Sequence, residues 1–297
     1  MYVMDSLSEG VAAVKVKVCA AQMEVALWDV ESNLNKAREM VKEASDQSCD
    51  IICFPEVFLT GSPGTEISRL ADSIPGKHTD EFCELARSHG IHIVMGSIAE
   101  TDGDRFYNTS VLIDSSGKIL GSYRKINLWN GEKKLYHPGN SVQVFETEIG
   151  TIGLEICWDL AFPEISIEAA RKGAQIIFCP SYWTQEDKYD ITTCAQTRKR
   201  ISSLETERVF VDACVQARAA ENGVAYVYTN ACGRITVGDR TRNMLGHSQI
   251  AVPLHGRTGL LEAQEGLLIS EVDLSLSAVS ESVYEIKKSR EERGPLT

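Results

Sequence analysis

Apolar and polar residues alternate over Val14-Lys15-Val16-Lys17-Val18-Cys19-Ala20, the period of a half-buried strand. Leu34, Ala37, Met40, Val41 and Ala44 recur at helical spacing among charges, which predicts an amphipathic helix over Asn33–Ala44. Asp50-Ile51-Ile52-Cys53-Phe54 is a continuous apolar run stopped by Pro55, the mark of a short strand buried on both faces. A helix over Asp80–Ser88 and a strand over Ile91–Ile98 follow. Asn108–Ile113 and Lys118–Tyr123 flank Ser115-Ser116-Gly117 and read as a hairpin. The second half repeats the rhythm, with strands at Gly150–Cys157 and Ala174–Cys179 around a helix Pro163–Lys172. An amphipathic stretch Ala195–Arg208 then leads into strands at Val209–Val215, Ala225–Asn230 and Ser248–Pro253. Strands alternating with helices, mixed with hairpins, indicate a layered α/β or α+β domain. No Gly-, Ser- or Pro-rich linker divides the chain, so residues 15–283 are expected to form a single domain. Residues 1–14 are expected to be a loose N-terminal end. The charged stretch 284–297, with Gly294-Pro295 near its end, is expected to be an extended tail lying on a surface or on a partner subunit.

Among 297 residues, 42 acidic against 30 basic side chains leave a net charge of −12, which repels polyanions. Nucleic acid and anionic membrane are therefore poor partners. No run of 18 apolar residues is present, and MYVMDSLSEG has neither the basic nor the apolar part of a secretory signal. The nine cysteines are an odd set without a CxxC pair, which argues against a disulfide scaffold or a zinc cluster. A cytoplasmic protein in a reducing compartment is the expectation. The six histidines include no HExxH, and no GxSxG serine elbow is present, so neither a zinc protease nor a serine hydrolase is supported.

Buried strands of layered α/β folds gather reactive groups just beyond their carboxyl ends. Ile51–Phe54 runs into Pro55-Glu56, Ile152–Ile156 into Cys157-Trp158-Asp159, and Ile176–Phe178 into Cys179-Pro180-Ser181-Tyr182-Trp183. Between the first two lies Lys125, in the aromatic and apolar setting Tyr123–Trp129. A carboxylate, an ammonium and a thiol brought together suffice for nucleophilic acyl transfer, because a base or a nearby cation can supply the attacking thiolate. Glu56 would take the thiol proton and pass it to a leaving amine. Lys125 and the Trp158 N–H would hold the oxyanion. Each residue type is common, and a given cysteine is more often inert packing, as Cys19 and Cys53 are in their apolar strands. Cys179 is the rival nucleophile, but Pro180 leaves no N–H beside it to serve an oxyanion.

Phe54-Pro55-Glu56, Tyr123-Arg124-Lys125 and Glu155-Ile156-Cys157-Trp158-Asp159-Leu160-Ala161-Phe162-Pro163-Glu164 stand in the order and rough spacing of the nitrilase superfamily. Tyr107-Asn108-Thr109, Glu132 before His137-Pro138-Gly139, Cys179-Pro180-Ser181, Ala217–Asn222 and Gly246-His247-Ser248 extend the resemblance from about Val16 to the tail. The superfamily hydrolyses amides, nitriles or carbamoyl compounds, and its amidase-like branch is the nearer match. The resemblance implies a four-layer αββα sandwich, paired through helix faces and the C-terminal tail into a homodimer or higher oligomer, with no metal or organic cofactor. It places the general base on Glu56, the lysine on Lys125, the nucleophile on Cys157 and a second, substrate-positioning glutamate on Glu132. Glu146 and Glu148 lie not far along the chain as rivals for that last role.

Trp158, Tyr182 and Trp183 are candidates to bind substrate, aromatic packing being the competing reading for the last two. Glu155 shares the face of Cys157 by strand period, where it would either pair with a buried cation or raise the thiol pKa. Superfamily members that act on carboxylated substrates often carry Arg where this chain has Ala161, which argues against an anionic substrate bound that way. True nitrilases usually carry Trp-Glu-Asn after the cysteine, and this chain has Trp158-Asp159. The reading is cysteine-dependent hydrolysis of a small amide with little or no negative charge, through a thioester on Cys157. A nitrilase, an N-carbamoyl amidohydrolase and a catalytically silent scaffold are the alternatives.

Overall fold

The computed structural model describes residues 14–185, 206–237 and 240–294. The expected loose end, residues 1–14, lies outside the described residues except for Val14, and so does most of the amphipathic stretch 195–208.

Two mixed sheets pack face to face. The first runs Gly266–Asp273, Lys15–Gln22, Ile51–Cys53, His92–Val94, Arg105–Ile113, Ile98–Asp102, with Ile119–Arg124 also paired to Arg105–Ile113. The second runs Gly256–Leu260, Gln249–Val252, Ala225–Asn230, Ile176–Ser181, Gly150–Leu154, Val144–Thr147. Lys15–Gln22, Ile51–Cys53 and His92–Val94 are parallel, as are Gly150–Leu154, Ile176–Ser181 and Ala225–Asn230.

Alternation along these strands divides the interior. Val16, Val18, Ala20, Ile51 and Cys53 meet Ile152, Leu154, Ile176, Phe178 and Val227 between the sheets. The intervening residues Cys19, Ala21, Ile52 and Phe54 face outward, against Leu34, Ala37, Met40 and Val41 of the helix Val30–Asp46 and Phe82 of the helix Lys77–His89. On the other side Ile177, Cys179, Tyr226 and Tyr228 meet Ile165 and Ala169 of the helix Pro163–Arg171 and Val211, Val215 and Ala219 of the helix Thr206–Asn222. The central strands are thus covered on both faces, which is why they read as unbroken apolar runs. The layers are helix, sheet, sheet, helix, as the resemblance implied.

Several elements differ from expectation. Val209–Val215 is helix, not strand, because Val211, Val215 and Ala219 recur at a four-residue spacing and are buried on one stripe. Val209, which a strand would have placed with Val211, is 62% exposed. The predicted strand Ile91–Ile98 is two strands, broken at Gly96 (φ +45), where a Cβ would sit 2.0 Å from the Pro55 carbonyl oxygen. Only glycine lets the chain pass so close to the turn that carries Glu56. The strand Gly150–Cys157 stops at Leu154, and Cys157 opens a 3-10 helix, Cys157–Ala161. The tail is helical over Ile286–Arg293 rather than extended, and Arg290 donates to Asn222 Oδ1 at 2.9 Å, on the outer helix of the same chain. No helix among the described residues is long and apolar enough to cross a membrane.

Candidate active site

Each reactive side chain stands just past the end of a strand. The chain leaves Ile51–Cys53 through Phe54 and Pro55, and the Glu56 N–H donates to the Ser181 carbonyl at 3.2 Å, tying this turn to the end of the second sheet. Lys125 follows Ile119–Arg124, and its N–H donates to Asn108 O at 2.8 Å, continuing the hairpin ladder by one residue. Glu132 lies in a short 3-10 helix, Asn130–Lys134.

These elements bring Glu56, Lys125 and Glu132 into one buried ion cluster. Lys125 Nζ donates to Glu56 Oε1 at 2.7 Å and to Glu132 Oε2 at 2.7 Å. The Lys125 side chain is 1% exposed and that of Glu56 4%. Asn108 Nδ2 spans the two carboxylates, at 2.8 Å from Glu56 Oε1 and 3.0 Å from Glu132 Oε1. The N–H of Tyr182 donates to Glu56 Oε2 at 2.9 Å, and that of Trp129 to Glu132 Oε2 at 2.7 Å. Burial alone would push the Lys125 ammonium down, but Glu56 and Glu132 outweigh it and hold it well above the ordinary lysine value. Burial, with Glu56 as a like charge, raises Glu132 against the pull of Lys125.

Cys157 lies within the field of this cluster. Burial pushes its thiol well above the ordinary range and Glu56 pushes it further. Lys125 opposes, Glu132 adds to the rise, and the Tyr182 N–H pulls down. The sulfur therefore rests as a thiol, and thiolate must be made by a base when needed. Its backbone is left-handed (φ +47), a conformation that costs a non-glycine residue about 1–3 kcal/mol. That turn also breaks the strand alternation. Leu154, Ile156 and Cys157 all face the space between the sheets, while Glu155 points to the outer layer.

Glu155 consequently does not share the face of Cys157, contrary to expectation. It accepts from Ser166 Oγ at 2.5 Å and Tyr226 OH at 2.7 Å, and burial pushes it up to about 7. Cys179, the rival nucleophile, also faces the outer layer, beneath the helices. Glu146 sits on the edge strand Val144–Thr147, and Glu148 follows it, its carboxylate bonded to Ser115 and near His92. Neither has Lys125 as a partner. Trp158 and Trp183 meet in an aromatic group, ring centroids 5.5 Å apart. Tyr182 contributes its N–H to Glu56, while its ring packs against the other core, with its hydroxyl close to Gly61.

Two residues that sequence reasoning left without a role hold the site together. Asn108 joins both carboxylates, and its only signal was its place in Tyr107-Asn108-Thr109. Asp159 is fully buried, and its Oδ2 accepts from Tyr123 OH (2.8 Å) and the Ile156 N–H (3.1 Å). Its Oδ1 accepts from the Asn127 N–H (2.8 Å) and Nδ2 (2.9 Å). Tyr123 and Asn127 flank Lys125 by two residues on either side, so one carboxylate braces the lysine segment against the cysteine turn. Arg218 adds a second brace, donating from the helix Thr206–Asn222 to Leu160 O at 2.9 Å.

Comparison with known proteins bears on this arrangement. The model of the carbon–nitrogen hydrolase family matches residues 17–279. A nitrilase of Pyrococcus abyssi is 31% identical over 267 residues, covering 88% of this chain and 91% of its own. The omega-amidase NIT2 of Danio rerio is 28% identical over 287 residues, covering 93% and 95%. The crystal structure of Saccharomyces cerevisiae Nit3, a member of branch 10 of the nitrilase superfamily, superposes with a TM-score of 0.79 at 22% identity, covering 94% of this chain and 97% of that one.

Proposed function

We propose that this chain, which belongs to the carbon–nitrogen hydrolase family of the nitrilase superfamily, cleaves a small amide of little or no negative charge to a carboxylic acid and ammonia. The observation that carries the reading is the Lys125 ammonium clamped between Glu56 and Glu132 beside a buried thiol. A thiol held protonated needs a general base, and Glu56 is the carboxylate whose charge acts most strongly on it.

The sulfur of Cys157 attacks the amide carbonyl carbon as its proton passes to Glu56. Negative charge moves onto the carbonyl oxygen, where the Lys125 ammonium and the Trp158 N–H would meet it. Trp158 lies in the first turn of a 3-10 helix, where N–H groups lack an intrahelical acceptor. The C–N bond breaks as Glu56 returns the proton to nitrogen, releasing ammonia and leaving a thioester. Water then attacks the thioester, giving its proton to Glu56. The C–S bond breaks, the acid leaves, and the thiol recovers its proton. Glu132 keeps Lys125 in place and helps orient the substrate amide. Nitrile hydrolysis is the second reading, favoured by the Pyrococcus abyssi relative, and would pass through a thioimidate on the same sulfur. We further propose a homodimer or larger assembly, with the segment from residue 284 at a subunit contact.

The test is ammonia release from a panel of amides, nitriles and carbamoyl compounds, with Cys157→Ala as control and intact-mass detection of an acyl adduct. Turnover of amides, lost in Cys157→Ala, with an adduct that accumulates or fails to form in Glu56→Gln, is the expected result. Equal ammonia release by wild type and Cys157→Ala would reject the cysteine mechanism. An adduct formed and cleared at the wild-type rate in Glu56→Gln would remove the base assignment.

A further inference from the structure

Three of the protein's four tryptophans converge on the proposed site, each tied to one of its groups. Trp158 follows Cys157 directly. Trp183 follows Tyr182, whose N–H donates to Glu56 Oε2. Trp129 donates its own N–H to Glu132 Oε2. Their rings meet, with Trp129 edge-on to Trp158 at 4.4 Å and Trp183 at 5.5 Å from Trp158. Phe210, from the helix Thr206–Asn222, stacks on Trp158 at 6.1 Å and lies 5.7 Å from Trp183.

The outer rings of this group are open to water, Trp129 at 48% and Phe210 at 37% exposure. Large aromatic surface left wet beside a reactive centre is a surface awaiting an apolar occupant. Among the described residues, the groups bonded at the proposed site leave no free cation beside Cys157. Lys125 is already shared between two carboxylates, Ala161 brings no cation, and Glu207 Oε2 accepts from Trp183 Nε1 at 2.5 Å at the far side of the rings.

We propose that the acyl group of the amide is a planar aromatic one without a carboxylate, lying against Trp129 and Phe210 while its carboxamide reaches Cys157. The proposal rests on the hydrolase reading above and names its substrate class. A flat ring gains offset-stacked or edge contacts with these rings beyond what buried area alone gives a saturated chain of equal size. A carboxylated acyl group would face Glu132, whose cation Lys125 is already taken up by two carboxylates. A second copy of this chain could cover the same rings, and that occupant would not discriminate between acyl groups.

The experiment is kcat/KM by ammonia release for phenylpropionamide, cyclohexylpropionamide, hexanamide, a carboxylated ω-amide and a trimethylammonium amide, with oligomeric state measured alongside. The phenyl substrate is expected to exceed its cyclohexyl analogue and hexanamide about tenfold, the rate equivalent of a strong aromatic contact. Phe210→Ala and Trp129→Ala should each lower the phenyl-to-hexanamide ratio by roughly 3- to 10-fold. That ratio does not depend on the folded fraction of a variant. Turnover of hexanamide with no phenyl preference overturns this inference and leaves the hydrolase reading intact. Preference for the carboxylated or cationic amide does the same. Equal losses on every substrate, together with a changed oligomeric state, would assign the rings to a second copy and overturn it. No turnover of any amide overturns both readings.

Discussion

Changing Glu155 to Gln should make stability less sensitive to pH, by an amount that follows from where this carboxyl lies. It is fully buried beneath the helix Pro163–Arg171, accepting from Ser166 and Tyr226, with Asp159 raising its pKa and Arg218 lowering it. Burial, the largest cause, lifts the group from an ordinary 4.5 to about 7. The unfolded chain loses this proton near 4.5, so between the two values the folded state binds more protons. Stability from this group is therefore complete below about pH 4.5 and is lost as pH rises through about 7. That span, at about 1.36 kcal/mol per pH unit, is worth about 3 kcal/mol. Gln has the same shape, accepts from one hydroxyl, donates to the other and does not titrate. Urea unfolding of both proteins from about pH 4 to 8 should show the variant gaining on wild type by about 3 kcal/mol across that range. Tyr226→Phe removes a donor that lowers the pKa and should move the wild-type fall to higher pH. A difference between Glu155→Gln and wild type that stays constant with pH would refute the claim that burial holds this carboxyl protonated.

Lys125→Met leaves Glu56 and Glu132 buried around Asn108 without their cation, and should cost about 3–5 kcal/mol at pH 8 by urea unfolding. Part of that loss should return in acid, as one carboxylate takes up a proton; a loss independent of pH would count against two buried charges. Iodoacetamide should alkylate Cys157 on a pH profile lying above that of a free thiol, about 8.5. Because Glu56 adds to the effect of burial, Glu56→Gln should shift the profile down, and an upward shift would reverse the assigned sign. Asp159→Asn sets an amide N–H against two of the four donors it now receives and should loosen the Lys125–Cys157 spacing. A fall in kcat of about 100-fold with KM nearly unchanged is expected in the folded variant, and a wild-type kcat would remove Asp159 from the positioning role.

Much of this was legible along the chain. Ile51–Phe54 reads as a strand covered on both faces because the layers lie on both sides of it, and the residue after its proline is Glu56. The motifs around Lys125 and Cys157 are equally local, so their order could be recognised without coordinates. Asn108 was not, because an asparagine inside a hairpin strand gives no local sign that its amide will meet Glu56, 52 residues away. Glu155 was placed on the wrong face because strand period was extended through Cys157, whose left-handed backbone ends the alternation. Val209–Val215 was read as strand because a short apolar run carries no period of its own until its buried stripe is known.

By itself the sequence determined which segments are buried, where three strands end, and which carboxylate, amine and thiol follow them, since periodicity and turn chemistry act over a few residues. Only the tertiary structure decided the partners. Lys125 reaches Glu56 across 69 residues, Asp159 braces Asn127 across 32, and Tyr226 meets Glu155 across 71. Such contacts depend on two sheets and two helix layers closing around one another. The electrostatics of each buried group is then set by whichever charges that closure brings within a few ångströms, and by the water it removes.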